Sequence, residues 1–319
     1  MTNIAAVIDR IRETASSSSV VCDLGDLPFT ELPSEIASLR KIELLALGSN
    51  APIVRNNRVV WEPNYRRPSR RGELSLAHLQ GLTNLRALDL SGWEIDADSL
   101  SVIAKLHRLS HLSLRVPTRA PLAFLKNLTQ LSSLELTGIW VEDLSPLSQL
   151  NSLRRLHISG DGLTTIDALE PLTGLRKLSM DGGRIRDYRP LRRMQELKTL
   201  FLRSDAQSTL DGCQGLTKLE SLITVDGSIE NLAPLSGLRF LRELYFQYCS
   251  SLSDIRAVAS MPSLCKLTLE NCYRISDWSP LLSCENMEVL RLISCSPRNL
   301  SVLSRHPRLQ IIRDGDPPG

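Results

Sequence analysis

A short unit, L-x-x-L-x-L, returns down this chain at a nearly constant interval, and that period constrains the fold more than any other feature. The second apolar position of each unit falls at Leu45, Leu88, Leu112, Leu134, Leu156, Leu178, Leu200, Leu222, Leu244, Leu267, Leu290 and Ile312. From Leu88 onward the spacing is 24, then 22 six times, then 23, 23 and 22 residues. A period in this range marks a stacked repeat architecture. L-x-L places two side chains on one face of a short strand. Such a strand cannot fold alone. Side by side, the units form a parallel sheet whose leucines pile into a continuous core. A more diverged unit in VVCDLGDLPFTELPSEIASL puts Cys22 and Leu24 in a strand, 23 residues before Leu45, which brings the total to about thirteen strands.

The connectors repeat as well. Asp143-Leu-Ser-Pro-Leu147, Asp187-Tyr-Arg-Pro-Leu191 and Asp277-Trp-Ser-Pro-Leu281 share D-x-x-P-L, with variants at Leu169-Glu-Pro-Leu172 and Leu232-Ala-Pro-Leu235. Asp capping a helical turn with Pro in its first turn fits a helix start. Each return has only about ten free residues, so 3₁₀ or single-turn helices are expected. Aromatic residues are 4% of the chain against 42% apolar, so leucine must fill the core.

The 22-residue unit with D-x-x-P-L resembles the leucine-rich repeats of bacterial internalins and of a phosphatase-regulating relative, over residues 80–312. Leu32-Pro-Ser-Glu-Ile36 resembles the L-P-x-E-I turn of another leucine-rich-repeat class. The resemblance implies an α/β leucine-rich-repeat solenoid, with a curved parallel β-sheet on the concave face and short 3₁₀ or helical turns and loops on the convex face. It also implies a bacterial source. The family's repeat carries Asn five residues after the second apolar position, and here only Asn50 supplies it. Trp93, Pro117, Ile139, Asp161, Gly183, Asp205 and Gly227 follow, then Cys249, Cys272 and Cys295. Cys at this place resembles the cysteine-containing repeat class, where a thiol donates weakly to a backbone carbonyl.

Residues 1–20 read as an N-terminal capping helix and linker, with Ile4, Val7, Ile8 and Ile11 at helical spacing and Ser16–Ser19 as a loop. Residues 21–50 hold the first repeats, 76–312 the array, and 313–319 a tail. Between Leu45 and Leu88 lies an insertion over 51–75. Its β-prone runs around Asn56-Asn57 suggest a hairpin. An arginine-rich stretch follows, with Arg66, Arg67, Arg70 and Arg71 beside Trp61 and Tyr65.

The sequence starts without a continuous apolar leader, and no run is long enough to cross a membrane. Seven cysteines follow no disulfide spacing, so a reducing, cytoplasmic setting is expected. Net charge is +3, from 38 basic and 35 acidic side chains, which argues against wholesale binding to nucleic acid or a membrane surface. No nucleotide-binding, zinc-protease or serine-hydrolase motif is present. The histidines, His78, His107, His111, His157 and His306, lack partners at ligand spacing. Neither an enzyme nor a metal or cofactor site is expected.

What remains is a surface. Alternation turns the residue between the two strand leucines away from the core. Down the chain this row reads Ala46, Asp89, Ser113, Glu135, His157, Ser179, Phe201, Ile223, Tyr245, Thr268, Arg291 and Arg313. Phe201, Ile223 and Tyr245 are consecutive, with Val225 and Tyr248 beside them and Arg203 and Gln247 at the edge. An apolar cluster with a polar rim is how an interaction hot spot is built. The expectation is a scaffold, recognition or regulatory subunit that binds a protein partner there. The competing reading is simple cross-strand packing. The alternative site is the arginine-rich insertion, binding nucleic acid or an acidic ligand.

Overall fold

The computed structural model describes residues 4–55, 58–63, 72–116, 121–138, 140, 143–295 and 297–314, and gives the backbone alone for 51–55 and 58–63. Two compact units result, Met1–Ile158 and Ser159–Gly319.

The first unit opens with helix α1 (Ile4–Ser16), which buries Val7, Ile11 and Thr14. It packs against β1 (Val21–Asp23) and the 3₁₀ turn Ser34–Ser38. Strands β2 (Leu44–Ala46), β6 (Ala87–Ile95), β7 (His111–Arg115), β8 (Ser133–Thr137) and β9 (Arg155–Ser159) follow β1 side by side. Pairing is parallel, with Leu45 opposite Leu88 and Leu88 opposite Leu112. The residues between β2 and β6 form an excursion from adjacent strands. In it β3 (Asn50–Arg55) and β4 (Arg58–Pro63) pair antiparallel, and β5 (Glu73–Leu74) returns alongside the far end of β6.

The second unit stacks β10 (Lys177–Asp181), β11 (Thr199–Arg203), β12 (Ser221–Val225), β13 (Glu243–Gln247), β14 (Lys266–Glu270), β15 (Val289–Ile293) and β16 (Gln310–Arg313) in order. All pairs are parallel, and Leu178, Leu200, Leu222, Leu244, Leu267 and Leu290 stand in one register. This is the leucine-rich-repeat fold the spacing requires.

One register differs from the sequence reading. Leu290 pairs with Ile311, not Ile312, and Arg291 pairs with Ile312, not Arg313. The backbone N–H of Gln310 donates to the Glu288 carbonyl at 2.8 Å, which fixes this alignment. Ile311 and Ile312 are both only half-buried, so the apolar pattern cannot choose between them at the last strand.

Most returns are 3₁₀ turns, as the short connectors demand. The exception is α2 (Ala97–Ile103), in the repeat stretched to 24 residues. There the Asp96 carboxylate caps the helix by accepting from the Ser99 N–H. In the D-x-x-P-L returns the Asp acts one step earlier, just before the turn. Asp143 accepts from the Ser145 N–H at 2.7 Å, Asp187 from Arg189 at 2.9 Å and Asp277 from Ser279 at 3.0 Å. Each closes an Asx turn that aims the chain into the Pro-containing 3₁₀ turn.

At four of the described repeats the side chain five past the second leucine donates to backbone carbonyls. Trp93 Nε1 donates to the Leu47 carbonyl at 2.9 Å. The Cys272 thiol donates to the Glu270 and Phe246 carbonyls at 3.4 and 3.6 Å. Cys295 reaches Ile293 and Leu269 at 3.3 and 3.4 Å, and Cys249 reaches Gln247 at 3.6 Å. Burial pushes the Cys272 thiol up to about 12, so these sulfurs stay protonated donors. Pro117 and Ile139 lie outside the described residues. The Asn50 amide takes a different direction, described below.

Candidate functional site

On the sheet face opposite the core, the second unit presents three rows, one from each alternate strand position. The middle row runs Ser179, Phe201, Ile223, Tyr245, Thr268, Arg291 and Ile312 in direct register. Phe201, Ile223 and Tyr245 are therefore contiguous across β11, β12 and β13. Each is half-buried, because its neighbours in the row cover its flanks while its outer surface stays open. The next row carries Asp181, Arg203, Val225, Gln247, Glu270 and Ile293. Val225 is only 7% exposed, between Arg203 and Gln247, and offers little area to a partner. Tyr248 lies just past β13 and is 51% exposed, at φ 55°. Asp226, Asn271 and Ser294 hold the same left-handed conformation after β12, β14 and β15. There the backbone N–H of each turn reaches the neighbouring repeat, as Tyr248 does to the Glu270 carbonyl at 2.9 Å.

Polar groups around the apolar row differ in how well they are satisfied. Arg203 forms an ion pair with Asp181. The Tyr245 hydroxyl donates to the Glu270 carboxylate at 2.5 Å. Burial, with that bond, pushes the Tyr245 phenol up to about 12. The side chains of Lys266 and Arg291 are exposed and have no hydrogen-bond or ion-pair partner among the described residues. Ile223, Tyr245, Thr268, Lys266, Arg291 and Ile293 contribute to the lining of a depression of about 260 Å³. The sequence reading places Thr268 and Arg291 in the middle row but does not name Glu243, Lys266, Glu270 or Ile293. Alternation along β13, β14 and β15 was the signal that locates them.

The same face of the first unit is closed at its start. Ala46 and Asp89 are 0% exposed and Ser113 4%, although all three point away from the core. Ala46 packs with Leu44 and Ala87, and Asn50, the first residue of β3, bonds to Asp89 and Ser113. Its backbone N–H and its Nδ2 each donate to the Asp89 carboxylate at 3.2 Å. Nδ2 also lies 3.4 Å from both Ser113 Oγ and Glu135 Oε2, spanning β6 to β8. Asp89 further accepts from the Ser91 N–H at 3.1 Å. Burial pushes its carboxyl up to about 6, with Glu135 adding to the rise and the hydrogen bonds opposing it.

His111 starts β7 and His157 lies in the middle row of β9, so the two occupy different rows. Burial, then Arg155, drops His111 to about 4, which leaves it neutral at physiological pH. Among the described residues no three metal-ligating side chains converge. Likewise no described helix is long and apolar enough to cross a membrane. Tyr65, Arg66, Arg67, Arg70 and Arg71 lie outside the described residues, and Trp61 is described by its backbone alone.

No protein-family model matches the sequence, and no curated protein matches it. Solved structures do. A Listeria monocytogenes internalin, inlF, superposes with a TM-score of 0.74 at 20% identity, covering 98% of this chain and 96% of its own. The functional domain of InlJ from the same organism, which includes a cysteine ladder, gives 0.50 at 14% identity, covering 92% and 72%. TLR13, solved in complex with ssRNA13, gives 0.50 at 20% identity, covering 72% of this chain and 40% of that one. At these identities the likeness extends to the fold.

Proposed function

We propose that this leucine-rich-repeat chain is a non-catalytic protein-binding module, a scaffold, recognition or regulatory subunit. It engages its partner through the open sheet face of the second unit, centred on Ile223. The supporting observation is the contiguity of Phe201, Ile223 and Tyr245 in one row, half-open to solvent, with Ile223 and Tyr245 lining a depression. An apolar centre within a polar rim provides the area that drives association. Tyr248, Gln247 and Arg203 form the adjoining rim. Closure of the corresponding face at the start of the first unit favours the second unit as the site. The odd cysteine number, with all seven thiols free, favours a reducing, cytoplasmic setting.

The test is affinity capture on the intact chain followed by mass spectrometry, repeated with Phe201→Ala/Tyr245→Ala. Loss of a specific protein in the double variant supports the reading. Full retention of every captured protein rejects this face. Recovery of nucleic acid lost on replacing Arg66, Arg67, Arg70 and Arg71 favours the insertion instead, with strongly salt-dependent binding.

A further inference from the structure

The partner's chemistry can be read from what the second-unit face leaves unmet. Charged groups nearest the apolar row are already satisfied: Asp181 holds Arg203, and Glu270 accepts from Tyr245. Those lining the depression are not. Lys266 and Arg291 have no partner among the described residues, and Glu243 is the one acid in the lining, so one positive charge is in excess. Glu243 stands in register with Lys266, two positions before Tyr245 and Thr268 on their strands. Arg291 lies on the strand next to Lys266, beside Thr268 and Ile312. Thr268 is small and 7% exposed, and forms a floor between Tyr245 and Arg291.

We infer that the depression takes a protein segment carrying a large apolar side chain and, close along the chain, an aspartate or glutamate, the apolar group resting on Ile223 and Tyr245 and the carboxylate on Arg291 with support from Lys266. The inference rests on the reading of this face as the binding surface. Its geometry follows from the register. Tyr245, Thr268 and Arg291 lie on successive strands, so Tyr245 and Arg291 are about 10 Å apart at ordinary strand spacing. An extended segment laid across the strands turns every second side chain to the face, at intervals of about 7 Å, so its apolar and acidic residues stand about two or four apart. Arginine's planar fork favours a two-oxygen acceptor, and a carboxylate matches it. A phosphate shares that chemistry. The apolar row beside the arginine favours a protein segment, which supplies both groups together.

The experiment pans random short peptides displayed on phage against the intact chain. Affinities of the selected peptides are then measured by fluorescence polarisation for the wild type, Arg291→Gln, Arg291→Lys and Ile223→Glu. Circular dichroism confirms that each variant folds, which the exposure of Arg291 favours. Selected peptides are expected to carry Asp or Glu about two or four residues from a large apolar residue. Arg291→Gln is expected to weaken them about five- to twentyfold, as is amidation of the peptide's acid, and the two losses should not add. Arg291→Lys should lose less. Peptides that require Ile223 but ignore Arg291→Gln overturn the carboxylate assignment and leave the face standing. Tighter, Arg291-dependent binding of a phosphopeptide or a single-stranded RNA overturns it in favour of phosphate. Absence of any peptide sensitive to Ile223→Glu overturns both the assignment and the face.

Discussion

Replacing Asp89 by asparagine gives the first unit a pH-dependent readout that follows directly from the closed part of its sheet. Asp89 is fully buried beneath Asn50, and its carboxyl is held at about 6 against an ordinary value of 3.8. Glu135 is the charged group facing it; Asn50, Ser91 and Ser113 are its neutral neighbours. A folded value above the unfolded one means that the fold favours the protonated acid. That stabilisation is complete below pH 3.8 and is lost as pH rises through about 6. At about 1.4 kcal/mol per unit of pKa difference, the full loss is about 3 kcal/mol. About half of it falls between about pH 5 and pH 7.5. Asparagine does not titrate. The stability of the wild type relative to Asp89→Asn should therefore fall by about 1.5 kcal/mol across that range. Carboxylates shared by both proteins cancel in the comparison. Hydrogen exchange of the intact chain in increasing urea, followed on peptides covering β2 and β6, reads the local stability. A difference that is flat with pH, or that grows in favour of the wild type as pH rises, refutes the reasoning.

Gly212 has φ 107°, and an added Cβ would lie 2.0 Å from the Tyr188 carbonyl oxygen. Gly212→Ala should destabilise the second unit by about 3 kcal/mol or more, visible as a lower thermal midpoint. Gln207 is fully buried, and neither of its amide atoms has a hydrogen-bond partner among the described residues. It stands where neighbouring repeats carry Leu163, Ile185 and Ile229. Gln207→Leu should raise the urea midpoint, by about 1–3 kcal/mol in stability. Tyr248 combines exposure with a left-handed backbone. Tyr248→Gly should leave stability within about 1 kcal/mol of the wild type or slightly above it, while weakening partner binding measured by calorimetry.

Legibility in the sequence tracked how many residues voted on each feature. The strand register came from leucines repeated at one period, each of which must face the same core, so a single slip would expose a whole layer. It failed only at Ile311 and Ile312, on a strand with no further repeat to bury it among the described residues. The 3₁₀ returns followed from lengths alone, but the seven-residue α2 was not expected, although its repeat is two residues longer than the usual 22. Alternation located the middle row, and with it the contiguity of Phe201, Ile223 and Tyr245. Burial was another matter. Asp89 and Ser113 read as exposed polar residues, because nothing local shows that Asn50, from an excursion between strands, folds back over them. Val225 was read as an open neighbour of Ile223, yet Arg203 and Gln247 flank it. Asn50 itself looked like the last survivor of an asparagine ladder, whereas its amide reaches Asp89, Ser113 and Glu135. The tasks of Arg203, Glu270 and Arg291 were equally illegible, since whether a charge is satisfied depends on neighbours a repeat away.

The claim that the second-unit face binds a protein is tested most directly by photo-crosslinking. A benzophenone side chain at position 223, and separately at Lys41 on the connecting side of the first unit, is activated in the presence of the captured partner. Mass spectrometry then maps the adducts. The account predicts adducts from position 223 onto a segment of a protein partner, abolished by Phe201→Ala/Tyr245→Ala, and none of comparable yield from position 41. Adducts from position 41 alone, or adducts from position 223 that survive the double substitution, would contradict it.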